Sequence, residues 1–327
     1  MTAAPCRPPL SIRQRVLYAA QGYLIETIVR AIVIGASGFL GRHLMARLGA
    51  GNAIGTYYRH GFPGGVRFDG TQDKVEDLLG RLPRGVDRAF VLHAAVGTEA
   101  CARDPAGTAE VNVEGVWRVL RGLLDAGILP VYVSSDYVFD GTRGLWRETD
   151  APAPATQYGL QKLEVERRLA ADPRPSLTVR LSRVVGTEAD THSVLGPWLE
   201  EIRTGRTMRC ATDQVFSPAD VDDVAGALAA LAETGATGLY HLGGPQPFSR
   251  IGLLQLLLEN IQVFAPDMRA DIVPISLHDL PFPERRPLDT SIAIDKLQAA
   301  IGWTFTPMAA LCAELAERHF GANRRAG

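Results

Sequence analysis

Apolar residues in this chain follow two alternating patterns: short unbroken runs of strand length, and longer stretches in which they recur every three or four positions. Runs at 30–34 (RAIVI), 52–57, 66–68, 88–94, 129–134 and 177–182 predict strands. The stretches at 39–48, near 72–82, after Pro105 (GTAEVNVEGVWRVLRGLLDAG) and at 155–169 (ATQYGLQKLEVERRL) predict helices. Such alternation implies an α/β fold with a parallel, doubly wound sheet, whose ligand crevice lies at the carboxyl ends of the strands. Gly35, Ala94, Ser135 and Tyr158 all fall at or just after such ends. Trp117, Leu120 and Leu124 stand at core spacing in the long helix and read as packing.

Beyond residue 183 the rhythm changes. Residues 194–204 and 219–233 look helical, 207–210 and 238–242 extended, and prolines become frequent from Pro245 to Pro287. That punctuation predicts a smaller lobe of short helices and loops.

At 327 residues and 46% hydrophobic content the chain can bury a sizeable core. Its formal charge of −2, with no sustained basic or acidic run, gives no reason to expect nucleic acid or an anionic membrane as a partner. Cys6, Cys101, Cys210 and Cys312 are far apart and form no CxxC, so they read as reduced cytoplasmic thiols. The seven histidines are scattered without HxxxH or HExxH, and no metal is expected. In residues 1–28, Arg7, Arg13 and Arg15 precede a mildly apolar stretch, but Gln21, Gly22 and Glu26 interrupt it and no cleavage site follows. This segment reads as an extension ahead of the first strand, with Val29 as a candidate initiator.

Two motifs carry chemistry. The first is Gly35-Ala-Ser-Gly38-Phe-Leu-Gly41, a GxxGxxG between a strand and a helix. Gly35 would permit the tight turn, Gly38 the approach of a pyrophosphate to the helix N-terminus, and Gly41 close packing of helix on strand. An NAD-specific fold usually places an acidic residue after the next strand. Here Tyr58, Arg59 and His60 follow instead, and Arg59 can pair with a 2′-phosphate, which favours NADP(H). A solvated arginine is the alternative, since the chain has 34 basic residues and only Lys74, Lys162 and Lys296 are lysines.

The second motif joins Tyr158 and Lys162 with the upstream run Ser134-Ser135-Asp136-Tyr137-Val138-Phe139-Asp140-Gly141. Spacing of i, i+4 puts phenol and ammonium on one helix face. A fixed cation a few ångströms away should lower the phenol pKa, making Tyr158 a proton donor while the Ser135 hydroxyl holds a reacting oxygen. An ordinary amphipathic helix with a surface lysine is the plainer alternative.

Together these residues resemble the extended short-chain dehydrogenase/reductases, and within them the dTDP-4-dehydrorhamnose reductases. The resemblance rests on GASGFLG (35–41), HAA (93–95), SSDYVFDG (134–141), YGLQK (158–162), DQVFSP (213–218) and RPLDTS (286–291), and covers everything after about residue 28. It implies a Rossmann fold with Ser135, Tyr158 and Lys162 as the catalytic triad, Lys162 also bonding the nicotinamide ribose. It places Gln214 and Arg286 near the sugar nucleotide, and Asp136, Tyr137 and Arg183 join them as candidate substrate contacts. Candidate cofactor contacts are Gly35, Ser37, Gly38, Phe39, Leu40, Gly41, Arg59, Asp69, Ala94 and Ala95, with Tyr158 and Lys162. One departure stands out: Arg183 and Val185 occupy positions where those reductases usually carry Trp and Tyr, so the pocket beside the sugar should differ.

The resemblance also implies a discontinuous division. Residues 29–182 would form the NADP-binding domain, 219–243 would return to it, and 183–218 with 244–327 would form the substrate lobe. The expected activity is NADPH-dependent reduction of a nucleotide-linked, dTDP-type 4-keto-6-deoxysugar, NADH remaining open as the reductant. The alternatives are a nucleotide-sugar epimerase or dehydratase using the same triad, and a non-catalytic NADP-binding regulatory subunit resembling the β subunit of methionine adenosyltransferase, which shares these motifs. Oligomeric state is left open, a homodimer included.

Overall fold

In the computed structural model, which describes residues 30–321 except 50, 84, 94–96 and 189–192, the apolar runs line up as one parallel sheet. Its strands are β1 (Ala31–Ile34), β2 (Ala53–Tyr57), β3 (Val66–Arg67), β4 (Arg88–Val91), β5 (Leu129–Ser135) and β6 (Leu177–Leu181). The chain then leaves for the short strands β7 (Val184–Val185), β8 (Met208–Ala211), β9 (Val215–Phe216) and β10 (Ala219–Asp220), and re-enters as β11 (Gly238–Leu242). The spatial order is β11-β6-β5-β4-β1-β2-β3. Order reverses between β1 and β4, and that switch point is where a doubly wound sheet opens its ligand crevice.

Both faces of the sheet are covered. Helices Phe39–Leu48 and Val221–Glu233 pack on one side over Val33, Phe90, Val131 and Val179. On the other, Val116–Asp125 lays Val116, Val119, Leu120 and Leu123 over Ile32, Ile34 and Tyr132. Burial on both faces explains why β1 reads as a continuous apolar run. Ahead of Val116–Asp125 the chain runs through a π-helical segment, Glu110–Gly115, which packs on helix Gln157–Ala171.

The second lobe has its own core, built where helices Leu195–Thr204, Arg250–Phe264 and Met308–Phe320 meet β8. It departs from the short helices that proline frequency predicts: Arg250–Phe264 has 15 residues and Met308–Phe320 has 13. The reason is local. Between the prolines, Leu253, Leu254, Leu257 and Ile261 recur as one fully buried stripe, and each such side chain contributes about 2 kcal/mol. Strand β12 (Phe248–Ser249) pairs with β9, and β13 (Ile272–Ile275) with β8. Residues 1–29, the candidate initiator Val29 among them, lie outside the described residues. No helix among the described residues is long and apolar enough to cross a membrane, and they contain no metal-binding cluster.

Candidate active site

The crevice begins at the glycine turn after β1. Gly35 has φ of +90°, which L side chains rarely adopt. Gly41, two residues into helix Phe39–Leu48, has no room for a β-carbon: one would overlap the Gly35 carbonyl and lie 2.7 Å from Ala36 Cα. The helix therefore starts tight against the turn, and Gly38 opens it with no side-chain cap on its first amides. Uncapped amides at the positive end of a helix suit a pyrophosphate. Ser37 follows the turn, Phe39 reaches the catalytic cleft, and Leu40 packs on the core.

Other candidate cofactor residues surround this loop. Arg59 is exposed past the end of β2, its guanidinium 5.4 Å from the Tyr58 ring. Arg67 approaches the same ring at 5.8 Å, a second cation that position in the sequence did not suggest. Asp69 accepts from Thr71 N and Oγ1; burial opposes its ionisation, but these bonds hold its carboxyl below the usual range. Nearby, both ring nitrogens of His93 are buried without a hydrogen-bond partner among the described residues. Burial, and then the charge of Lys162, pulls this imidazole down to about 4, so it is neutral and able to donate or accept. The glycine turn, the uncapped amides and this unpartnered ring fit a dinucleotide. Ala94 and Ala95 lie outside the described residues.

Ser135 ends β5, and its Oγ donates to Asp136 Oδ1 (3.0 Å) and accepts from Tyr137 N (3.2 Å). Helix Gln157–Ala171 is capped by Thr156, whose Oγ1 accepts from Gly159 N at 3.1 Å. Its first turns carry Tyr158 and Lys162 into a cleft of about 390 Å³ that Ser135 also lines. Lys162 Nζ donates to Val133 O (2.9 Å) and sits 5.8 Å from the Tyr158 ring centroid. Its pKa is pulled down to about 8 by burial, against which Glu166, one turn along the helix, works in the opposite direction.

The phenol does not behave as spacing alone predicts. Burial, then the negative charge of Asp136, raises the Tyr158 pKa above its ordinary value, outweighing the opposing influence of the Ser135 hydroxyl. Tyr158 is thus held in its neutral, protonated form.

From the second lobe and the connecting loops, Arg183, Gln214 and Arg286 line the same cleft, with Asp136 and Tyr137. Asp136 is buried and accepts from Ser135, Ser182 Oγ (3.1 Å) and Thr290 Oγ1 (2.8 Å), tying together residues remote in sequence. Tyr137 meets Tyr158 edge-on at 6.1 Å. Arg286 stacks on Phe282 and pairs with Glu99 at 3.1 Å across the mouth. Arg183 lies 5.7 Å from the Phe216 ring. Gly97 and Thr98 also line the cleft, with no motif to mark them beforehand.

A family model described as the RmlD substrate binding domain matches residues 29–318. A probable low-salt glycan biosynthesis reductase, Agl14, of Haloferax volcanii is 27% identical over 83% of this chain and 92% of its own length. The dTDP-4-dehydrorhamnose reductase of Burkholderia thailandensis is 29% identical over 69% of this chain and 80% of its own. The methionine adenosyltransferase 2 subunit beta of Pongo abelii is 25% identical over 68% and 69%. Among solved structures, a dTDP-4-dehydrorhamnose reductase from Bacillus anthracis in complex with NADP superposes with a TM-score of 0.74 at 22% identity, covering 90% of this chain and 99% of that one.

Proposed function

This chain belongs to the RmlD substrate-binding domain family, and from that premise we propose that it is an NADPH-dependent reductase of a nucleotide-linked 4-keto-6-deoxysugar. The observation that carries the reading is the convergence of Ser135, Tyr158 and Lys162 from the sheet domain with Arg183, Gln214 and Arg286 in one cleft beside the glycine turn. Bound NADPH supplies the hydride. As the sugar carbonyl is reduced, charge develops on its oxygen, and a donor aimed there lowers the barrier. Tyr158 protonates that oxygen and Ser135 holds it in line. Lys162, largely protonated below pH 8, offsets the negative charge left on the phenol. The glycine turn and the first amides of Phe39–Leu48 would hold the pyrophosphate, with Arg59 and Arg67 toward a 2′-phosphate.

Purified protein incubated with NADPH and a panel of dTDP- and other nucleotide-linked 4-keto sugars tests this directly, by loss of nicotinamide absorbance. Stoichiometric consumption with one or more sugars supports the reductase. Sugar isomerisation without net NADPH loss would identify an epimerase. The subunit-beta relative favours a second reading, regulation of an adenosyltransferase, which predicts no turnover and a stable complex on co-purification.

A further inference from the structure

Helix Gln157–Ala171 starts one residue before Tyr158, so whatever fixes its first turn also fixes the phenol. The opening amides of a helix have no partner within it, and their partial positive charge favours a carboxylate nearby. The first turn of this helix carries no acidic residue of its own. Thr156 Oγ1 takes the Gly159 amide, and the internal ladder begins with Leu160 N on Thr156 O at 2.9 Å. The Gln157 amide instead donates to Glu284 Oε2 at 2.9 Å, a carboxylate supplied from 127 residues further along the chain.

Glu284 lies in the irregular segment that follows β13, and two residues on, Arg286 lines the catalytic cleft. This short piece of chain is anchored twice. Arg286 pairs with Glu99 of helix Thr98–Arg103 at 3.1 Å, while Glu284 reaches the helix that bears Tyr158 and Lys162. Burial, and to a lesser degree the nearby Glu284 carboxylate, raise the pKa of Cys101 in helix Thr98–Arg103, so the carboxylate is close to both helices. Its other oxygen, Oε1, is buried without a hydrogen-bond partner among the described residues. A carboxylate oxygen left this way is unfavourable for folding, and such departures gather at functional sites.

We infer that Glu284 is a positioning residue of the reductase: by taking the Gln157 amide it holds the first turn of the helix in place and sets Tyr158 toward the sugar carbonyl. This role rests on the reductase reading above, because it takes Tyr158 to be the proton donor. Glu284 is not among the side chains that line the cleft, so it acts through the helix and not on the reacting atoms. It stands just ahead of the RPLDTS motif and outside it.

The test is steady-state reduction of a ketosugar that the wild type accepts, with kcat and KM measured for Glu284→Ala, Glu284→Asp and Glu284→Gln, and amide hydrogen exchange at Gln157 and Tyr158 followed in the NADPH-bound proteins. Alanine removes the acceptor and aspartate is one methylene too short, so both should lower kcat roughly tenfold to a hundredfold, with sugar KM and NADPH affinity within about twofold of wild type. Glutamine keeps a carbonyl oxygen for the same amide, and Glu284→Gln should recover most of the loss. The two amides should exchange faster in the alanine and aspartate variants and at the wild-type rate in Glu284→Gln. Wild-type kcat in Glu284→Ala and Glu284→Asp, whatever their melting temperatures, would overturn the positioning role and leave the reductase reading standing. No NADPH consumption by the wild type on any ketosugar of the panel would overturn both, and the wild-type rate alone tells the two failures apart.

Discussion

Gly159 lies so close beneath Tyr137 that a β-carbon at position 159 would overlap the Tyr137 carbonyl oxygen and sit 2.9 Å from Pro154 Cβ. This contact lets the helix bearing Tyr158 and Lys162 press against the turn bearing Ser135, and it gives the glycine of YGLQK a physical reason. An alanine in a helix interior ordinarily gains about 1 kcal/mol over glycine. Gly159→Ala should instead destabilise by about 1 to 3 kcal/mol, because backbone must move on one side or the other. Urea melts read the stability. We expect turnover to fall further than the loss of folded protein explains, since Tyr158 is the preceding residue.

Tyr158→Phe removes the proton donor and little bulk, so turnover should drop by about a hundredfold or more with NADPH affinity nearly unchanged. In the wild type, kcat should hold up to about pH 8 and decline above it, because Lys162 is protonated below that value and neutral above it. A flat profile across pH 7 to 9.5 would show that the ammonium charge is not needed.

Much of this was legible in the sequence, and the physical reasons differ from one feature to the next. The sheet was readable because its strands are buried on both faces and so appear as apolar runs such as AIVI at 31–34. The glycine turn was readable because backbone sterics at Gly35 and Gly41 demand a particular residue type. The raised pKa of Tyr158 was not: spacing reports the lysine four residues away, whereas burial and Asp136 depend on how the lobes close.

A buried histidine predicts the acid behaviour of the fold. His241 is fully buried, its Nδ1 donating to Trp146 O (3.1 Å) and its Nε2 facing Arg180 Nη1 (3.4 Å) as acceptor. Burial, then the Arg180 charge, pulls its pKa down to about 3 from an ordinary 6.5. Above pH 6.5 both folded and unfolded forms are neutral. Between pH 6.5 and 3 only the unfolded chain takes the proton, so stability falls with pH by about 1.4 kcal/mol per unit from this residue. Thermal melts from pH 7 to pH 5 should show that decline, and His241→Gln should make it shallower. An identical slope in the variant would remove His241 from the account.

The last prediction concerns the cofactor. Strand β2 ends at Tyr57 without an acidic residue after it, and Arg59 stands there with Arg67 against the same Tyr58 ring. Because neither guanidinium pairs with a carboxylate among the described residues, both can meet a 2′-phosphate, and NADPH should be used more efficiently than NADH. An arginine–phosphate contact is worth about 1.5 to 3 kcal/mol, or roughly tenfold to a hundredfold in affinity. Arg59→Ala should therefore weaken NADPH and leave NADH alone, and adding Arg67→Ala should bring the two cofactors close to parity. Specificity constants for both cofactors across the wild type, the single and the double variant decide it. Equal use of NADPH and NADH by the wild type would mean that these arginines are surface charges and that the ribose is read by other groups.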